Sequence, residues 1–232
     1  MYKIMVIGGH AGDEEIMAGT LCHKYASRGH KVRFISLTAG QGGHPTLPAE
    51  VYVVQKTEEA MAAAADIGAE RVIFPFSDGS LEISMQVQRM IADEIISFRP
   101  DVIITHWRGS IHRDHIAAYY NTQYAIEIAA PEYKVPQVFY GDNIEDPHEY
   151  DANVVLETNE KDEEAWGKAC REYEMVRKCF YKFDYVRYYT GLHIVRGQLT
   201  GRMYEYGCGL MRDPGYGFFA SERGGSIPGL EL

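Results

Sequence analysis

The stretch that decides the fold is KIMVIGGHAGDEEIMAG, residues 3–19. Lys3 to Ile7 is a short run in which three of five residues are β-branched, which is typical of a buried strand, and two glycines follow it. The following segment, Asp13 to Ser27, has apolar residues near helical spacing at Ile16, Met17, Leu21 and Tyr25. The stretch therefore predicts a strand, a tight turn and a helix.

The same alternation continues along the chain. Further strands are predicted at Val32 to Leu37, Arg71 to Phe74, Val102 to Thr105 and Gln137 to Tyr140, with helices at Glu50 to Gly68, Met85 to Phe98 and His112 to Ala130. Strands that alternate with helices indicate an α/β, Rossmann-like fold, with a mostly parallel sheet flanked by helices. We treat residues 1–232 as one domain.

The pattern weakens after Tyr150. Asn153 to Leu156 is a candidate strand, and Lys161 to Cys179 is a candidate helix. The segment Arg187 to Leu232 is rich in Gly, Tyr and Arg and gives no clear periodicity, so no elements are predicted there.

The charge balance excludes some kinds of partner. The chain has 23 Lys and Arg against 33 Asp and Glu, a formal net charge of -10, with no basic cluster for phosphate contacts. We therefore expect no nucleic-acid binding. No segment approaches the roughly 20 apolar residues of a membrane helix, and no signal peptide is recognisable, so we expect a cytoplasmic protein without membrane association. None of the four cysteines forms a CxxC pair.

A first group of metal-binding side chains lies in the turn after the first predicted strand. His10 and Asp13 are three residues apart there, and imidazole and carboxylate groups are typical zinc ligands. The alternative is that Asp13 only caps the helix.

A second group follows the fourth predicted strand, in the segment from His106 to His115. Three histidines and an aspartate lie within ten positions, and His112 and His115 are one helical turn apart. Asp114 is placed to accept a hydrogen bond from a histidine and to fix its tautomer. Because sites in parallel sheets lie at the carboxyl ends of strands, the two groups are expected to meet.

The glycine-rich turn Gly8 to Gly12 also allows another interpretation, a phosphate-binding turn before a helix. The turn is not GxGxxG, and the second strand ends without an acid for a ribose. A dinucleotide site is therefore not expected. A nucleotide-binding protein that uses the glycine-rich turn is the alternative of another class, and tight nucleotide binding that survives removal of metal would favour it.

The two metal motifs together resemble the LmbE-like (PIG-L) N-acetyl-sugar deacetylases. The family's His-Pro-Asp-Asp-Glu turn appears here as His10 to Glu14, and its His-x-Asp-His segment as His112 to His115. Asp78-Gly79-Ser80-Leu81 resembles the family's Asp-Gly-x-Leu turn, and Ala220-Ser221-Glu222 loosely resembles an Ala-Glu signature near the end.

The resemblance implies roles for individual residues. His10, Asp13 and His115 match the zinc ligands, so the implied cofactor is Zn²⁺ or another divalent transition metal. His112 matches the histidine that stabilises the tetrahedral intermediate or assists proton transfer, and Asp114 matches its supporting carboxylate. The chain departs from the family at Gly12, where the family has its general-base aspartate.

The resemblance implies a metal-dependent hydrolase that deacetylates a small-molecule conjugate of N-acetylglucosamine type. Glu14 is the first candidate for the missing base, and Asp114 is the next carboxylate in sequence. The alternative is a catalytically altered or non-catalytic metal- or sugar-binding member, since Gly12 has no side chain to take a proton. The sequence leaves the oligomeric state open, a homo-oligomer included.

Overall fold

Strands and helices alternate up to Gly141 in the computed structural model of the chain. The structure describes residues 1–135, 137–200, 204–212, 222–224, 227 and 230. The strands are β1 (Lys3–His10), β2 (Lys31–Thr38), β3 (Glu70–Phe76), β4 (Val102–Thr105), β5 (Gln137–Gly141), β6 (Val154–Thr158), β7 (Tyr206–Met211) and β8 (Glu222–Gly224). The helices are α1 (Asp13–Ala26), α2 (Ala49–Ile67), α3 (Met85–Phe98), α4 (Arg113–Ala129), α5 (Glu160–Glu172), α6 (Glu174–Arg177) and α7 (Tyr185–Leu199), with a 3₁₀ turn at Phe180–Lys182.

The eight strands form one sheet in the order β3-β2-β1-β4-β5-β7-β6-β8. The first five strands in this order run parallel to one another, and β7 is antiparallel to both β5 and β6. The predicted α/β fold with a mostly parallel sheet is therefore confirmed. Because β1 and β4 are adjacent and parallel, the turns that follow them lie side by side at one edge of the sheet.

Helices cover both faces of the sheet, and the alternation along β1 shows which residues face each layer. Ile4 and Val6 belong to the apolar core beneath α1, α2 and α5, whereas Met5 and Ile7 belong to the core beneath α3 and α4. All four side chains are fully buried. Burial on both faces explains why this strand is a continuous apolar run instead of an alternating one.

The helix predicted over Lys161 to Cys179 is wrong as a single element. The chain leaves helical geometry at Tyr173 (φ -77°, ψ 125°), so α5 ends at Glu172 and the short α6 follows. The phenol of Tyr173 donates to Glu15 and its ring is buried, so tertiary contacts hold this break where periodicity alone favours a continuous helix. The break brings Tyr173 to the wall of the cavity described below.

The C-terminal third adds elements that the sequence did not predict. Asp184 caps α7 by accepting a hydrogen bond from the backbone N–H of Arg187, and β7 and β8 pair with β6. Ala220 and Ser221, which carry the loose Ala-Glu resemblance, lie outside the described residues. None of the described helices combines the length and the apolar character that crossing a bilayer requires.

Candidate metal centre

The turn between β1 and α1 brings His10 and Asp13 together. Gly12 precedes α1 with φ 116° and ψ -27°, a backbone conformation that L-residues with a side chain rarely adopt. This turn lets the carboxylate of Asp13 reach back, where its Oδ2 accepts the backbone N–H of His10 at 2.8 Å. Asp13 is therefore the first residue of α1, and its side chain binds the backbone of His10 at the end of β1.

The turn between β4 and α4 supplies the histidines. His106 follows directly after β4, His112 is the N-terminal cap of α4, and His115 lies in its first turn. The rings of His106 and His115 stack with centroids 3.8 Å apart, and both side chains are fully buried. His10 lies against them, with its ring centroid 5.2 Å from that of His115.

Three predicted ligands form a triangle of donor atoms. Nδ1 of His10 is 3.2 Å from Oδ2 of Asp13 and 3.3 Å from Nε2 of His115. The third side of the triangle, from Nε2 of His115 to Oδ2 of Asp13, is 3.4 Å. Tetrahedral zinc with bonds of about 2.0–2.1 Å needs donor atoms about 3.3–3.4 Å apart. The spacing and the chemistry of the donor set both fit a divalent transition metal.

His106 has a different position. Its Nε2 lies 3.0 Å from the backbone nitrogen of Gly9; burial lowers the pKa of His106, but the carboxylates of Asp146 and Asp13 outweigh burial and raise that pKa to about 10. The nitrogen also lies 3.1 Å from Oδ2 of Asp13, and these residues with His115 form a second cluster that could hold a cation. Because its ring is held in its charged form between Asp13 and Asp146 and stacks on His115, we treat His106 as a support for the triangle.

Two carboxylates hold the far side of the His10 ring. Nε2 of His10 is 3.2 Å from Asp114 and 3.1 Å from Asp78. Burial lowers the pKa of His10, but the carboxylates of Asp114, Asp13 and Asp78 outweigh burial and hold that pKa well above its usual value. Asp114 itself is fixed, because it accepts backbone N–H groups from Gly79 at 2.5 Å and Leu81 at 3.1 Å. Asp114, the carboxylate predicted to orient a histidine, thus contacts His10. The resemblance implied that its partner is His112.

Asp146 is a supporting residue that the sequence did not reveal. Its two oxygens contact Nδ1 of His106 at 2.8 Å and Nδ1 of His115 at 3.0 Å. Burial raises the pKa of Asp146, but the two imidazoles outweigh it and hold that pKa well below the usual range of a carboxyl group. Because Asp146 accepts from Nδ1, the Nε2 atom of His115 is left as the nitrogen that faces the site.

His112 is neutral and carries its proton on the outer nitrogen. Burial and the imidazoles of His10 and His115 lower the pKa of His112. Its Nδ1 accepts the backbone N–H of Asp114 at 3.2 Å, which assigns the proton to Nε2. The ring is partly exposed, so an N–H donor faces the space in front of the triangle.

Glu14 lies away from that space. Its carboxylate is completely buried, where it accepts from Arg71 at 3.0 Å and from Ser36 at 2.8 Å. Arg71 also binds Glu15 at 2.5 Å, so one guanidinium joins two adjacent acids of α1. A carboxylate held in this way is poorly placed to take a proton from water near His10.

A cavity of about 420 Å³ opens in front of the triangle. Its wall carries both an acidic and a basic side chain. Glu145 lies on the loop after β5, with Oε2 3.6 Å from Nε2 of His115 and 44% of its side chain exposed. Lys56 of α2 also lines the cavity, close to Gly12. The remaining wall includes Gly12, Gly40, Ile144, Tyr173, Tyr185 and Tyr189.

A family model described as GlcNAc-PI de-N-acetylase (PIG-L) matches residues 5–126, which include both metal motifs. The chain belongs to the PIG-L family. The predicted resemblance is therefore confirmed, and the departure at Gly12 is a departure from the chain's own family.

The solved structures with related folds include a protein described as a hydratase and one described as a deacetylase. The conserved protein TT1542 from Thermus thermophilus matches with a TM-score of 0.80 at 20% identity, covering 100% of both chains. GalB, the 4-carboxy-2-hydroxymuconate hydratase from Pseudomonas putida, matches with a TM-score of 0.81 at 20% identity, covering 94% of this chain and 99% of its own. The N,N'-diacetylchitobiose deacetylase from Pyrococcus horikoshii matches with a TM-score of 0.72 at 15% identity, covering 92% and 84%. At these identities the likeness shows the PIG-L fold alone.

The sequence motifs of this PIG-L chain do not identify three residues that the structure places at the site. In the sequence, Asp78 is only part of a turn that resembles the family's, and no motif includes Glu145 or Asp146. The available signal for Glu145 and Asp146 was their position, since both lie shortly after the fifth predicted strand, at the carboxyl edge of the sheet.

Proposed function

We propose that the chain is a metal-dependent hydrolase that removes the acetyl group from a small conjugate of N-acetylglucosamine type. His10, Asp13 and His115 would hold Zn²⁺ or another divalent transition metal. The observation that carries the proposal is the triangle of donor atoms, 3.2–3.4 Å apart, at the edge of the cavity. The family description, a de-N-acetylase, supports hydrolysis of an amide bond.

A divalent ion held there supplies Lewis-acid activation of water and of a substrate carbonyl. The chain's own residues supply the rest of the chemistry. In the assigned tautomer, His112 presents an Nε2–H donor to the cavity, which suits it to stabilise negative charge on the carbonyl oxygen during attack. Its neutral state matches this role, because a neutral imidazole donates from one nitrogen while the other accepts from Asp114.

A proton acceptor is also required, and we assign this role to Glu145 instead of Glu14. The carboxylate of Glu145 lies on the cavity wall, 3.6 Å from Nε2 of His115, with part of its surface exposed. Glu14 is completely buried and bound to Arg71. A proton taken from water by Glu145 is also the proton that a leaving amine needs, so one carboxylate could serve both steps.

Metal analysis combined with an acetate-release assay tests the proposal. We expect about one divalent ion per chain in the wild type, and its loss in Asp13→Asn. Asp93→Asn, on the exposed surface of α3, is the matched control and should retain the ion. Acetate release from a panel of N-acetylglucosamine conjugates should depend on the ion. Absence of a bound ion in protein purified without chelators would contradict the proposal, and a bound ion without turnover would favour the non-catalytic alternative.

The environment of position 12 favours a second candidate, addition of water to a carbon–carbon double bond. The family's base is absent, and the ammonium group of Lys56 lies near the space that a side chain there would enter. One protein of similar fold is described as a hydratase. In hydration the water oxygen binds one carbon and a proton is delivered to the other, so a nearby ammonium suits proton delivery. Loss of ultraviolet absorbance by conjugated unsaturated acids, without acetate release from amides, would favour this candidate.

A further inference from the structure

Lys56 is a buried cation with no carboxylate at ion-pair distance among the residues that the structure describes. It lies in the middle of α2, and 3% of its surface is exposed. Its Nζ is 3.3 Å from the sulfur of Met175 and 4.2 Å from the centre of the Tyr173 ring. Within the part of the chain that the structure describes, no carboxylate lies at ion-pair distance from this ammonium group. The neighbouring buried cation Arg71, in contrast, is paired with Glu14 and Glu15.

The ammonium group faces the same cavity as the metal triangle. A Cβ atom built on Gly12 would lie 3.9 Å from Nζ of Lys56 and 3.7 Å from the Tyr173 ring. Gly12 precedes Asp13 directly, so the glycine opens space between the ammonium group and the proposed metal ligand. A substrate group that enters this space would meet Lys56 at one end and the triangle at the other.

An unpaired buried charge is costly unless a partner arrives. Burial lowers the pKa of Lys56, and the more distant carboxylates of Glu59 and Asp13 partly offset this, leaving a pKa of about 8. The group therefore remains largely protonated near neutral pH. The aromatic face of Tyr173 stabilises a cation but does not neutralise it.

We infer that Lys56 binds a carboxylate of the substrate, so the substrate of this cavity is an organic acid and not a neutral sugar conjugate. This inference rests on the proposed function for the position of the reacting group at the triangle. One ammonium group matches one negative charge, because the neighbouring guanidinium of Arg71 is occupied by two acids. Among the described residues that line the cavity, Lys56 is the one Lys or Arg side chain, so this wall has no arginine fork of the kind that binds phosphate bidentately.

Calorimetric titration with matched ligands tests the inference without requiring turnover. The probes are the dicarboxylates malonate, succinate, glutarate and adipate, each compared with its monoamide, added to zinc-loaded protein. Both members of a pair keep one carboxylate for the ion, so their difference reports the second charge. For at least one chain length, we expect the diacid to bind about 10-fold or more tightly than the monoamide.

Variants at position 56 locate the effect. Lys56→Met removes the charge with a similar volume and should abolish the preference for the diacid, whereas Lys56→Arg should keep part of it. Equal binding of diacids and monoamides in the wild type at every chain length would overturn the inference, even if Lys56→Met failed to fold. So would a preference that survives in folded Lys56→Met.

Zinc content and acetate release separate this inference from the proposed function. A diacid preference with bound zinc but no acetate release would contradict the hydrolase while leaving the role of Lys56 intact. Zinc binding and acetate release with no preference for a second charge would contradict the role of Lys56 alone.

Discussion

Oδ2 of Asp114 lies 3.2 Å from Nε2 of His10, while Nδ1 of the same ring faces Asp13. Because this carboxylate holds the Nε2 proton, the proton that leaves the ring when an ion binds is the one on Nδ1. Asp114 is itself held by the backbone N–H groups of Gly79 and Leu81, so the orientation of the ring is fixed from behind. Histidine ligands in metalloproteins are commonly oriented by such an arrangement.

The first prediction concerns Asp114→Asn. The amide keeps the shape of the side chain but loses the charge that stabilises the Nε2 proton, so zinc affinity should fall by about 10- to 100-fold without unfolding. Competition with a chromogenic chelator measures the affinity, and circular dichroism checks the fold. Asp93→Asn, exposed on α3, is the control. Unchanged affinity would show that Asp114 only caps the turn at Gly79.

The second prediction concerns Glu14→Gln. Glu14 is completely buried but shares Arg71 with Glu15, so the substitution leaves Arg71 paired and weakens one charged hydrogen bond, which should lower the free energy of unfolding by about 1–3 kcal/mol. Turnover per folded molecule should change little, because the carboxylate lies outside the cavity wall. Denaturant titration and active-site-normalised kinetics measure the two quantities. Glu50→Gln, exposed at the start of α2, is the control. Loss of turnover in a stable Glu14→Gln protein would restore Glu14 as the base.

The third prediction concerns Glu145→Gln. If Glu145 accepts the proton of water, the variant should bind zinc normally and lose about 10²- to 10⁴-fold in turnover, the usual contribution of a general base. Zinc content and turnover are measured on the same preparation. Loss of zinc together with turnover would identify Glu145 as a metal ligand, consistent with its 3.6 Å distance from His115, and would contradict the proton-acceptor role.

The sequence predicts the helices and strands best where the spacing of the apolar residues is regular. Met85–Phe98 and Val102–Thr105 were predicted with the bounds that the structure has, because an amphipathic helix and a short apolar strand both have clear periods. The break at Tyr173 was not readable, since it depends on a contact with Glu15, 158 positions away in sequence. The strands β7 and β8 were missed for a similar reason, because glycine-rich segments become strands only by pairing with β6.

The site was readable to the extent that its residues lie in two short motifs. His10, Asp13 and His115 were predicted as ligands, and the parallel pairing of β1 with β4 brings them together. Their metal-binding role itself stays a prediction. The supporting acids Asp78 and Asp146 come from other loops, and their distance from the motifs in sequence hides their contacts with the histidines. Glu14 was favoured as the base by proximity in sequence alone, and helical geometry turns it toward Arg71.

The fourth prediction concerns Gly12. Its φ of 116° is unfavourable for a residue with a side chain, so Gly12→Ala should lower stability by about 1–3 kcal/mol. In Gly12→Asp the new carboxylate would also lie near Nζ of Lys56 and pair with it, so we expect no gain in turnover. Thermal unfolding and turnover of both variants separate strain from charge. A clear rise of turnover in Gly12→Asp, and not in Gly12→Ala, would show that the chain lacks only its base.

The last prediction concerns the pH dependence of zinc binding. The pKa of His10 is held well above its usual value in the metal-free protein, so its ring is protonated near pH 7, whereas the pKa of Asp13 is held well below its usual value and its carboxylate is already ionised. An ion can bind Nδ1 of His10 only after a proton leaves, so zinc binding should release about one proton per chain at pH 7. Zinc affinity should therefore rise with pH, by about tenfold per unit, until the pKa of His10 is passed. Calorimetry in buffers of different ionisation enthalpy measures the number of protons released. In Asp114→Asn one of the carboxylates that raise this pKa is neutral, so fewer protons should be released at pH 7, although zinc is bound more weakly. Equal proton release in both proteins would show that His10 is not the group that titrates.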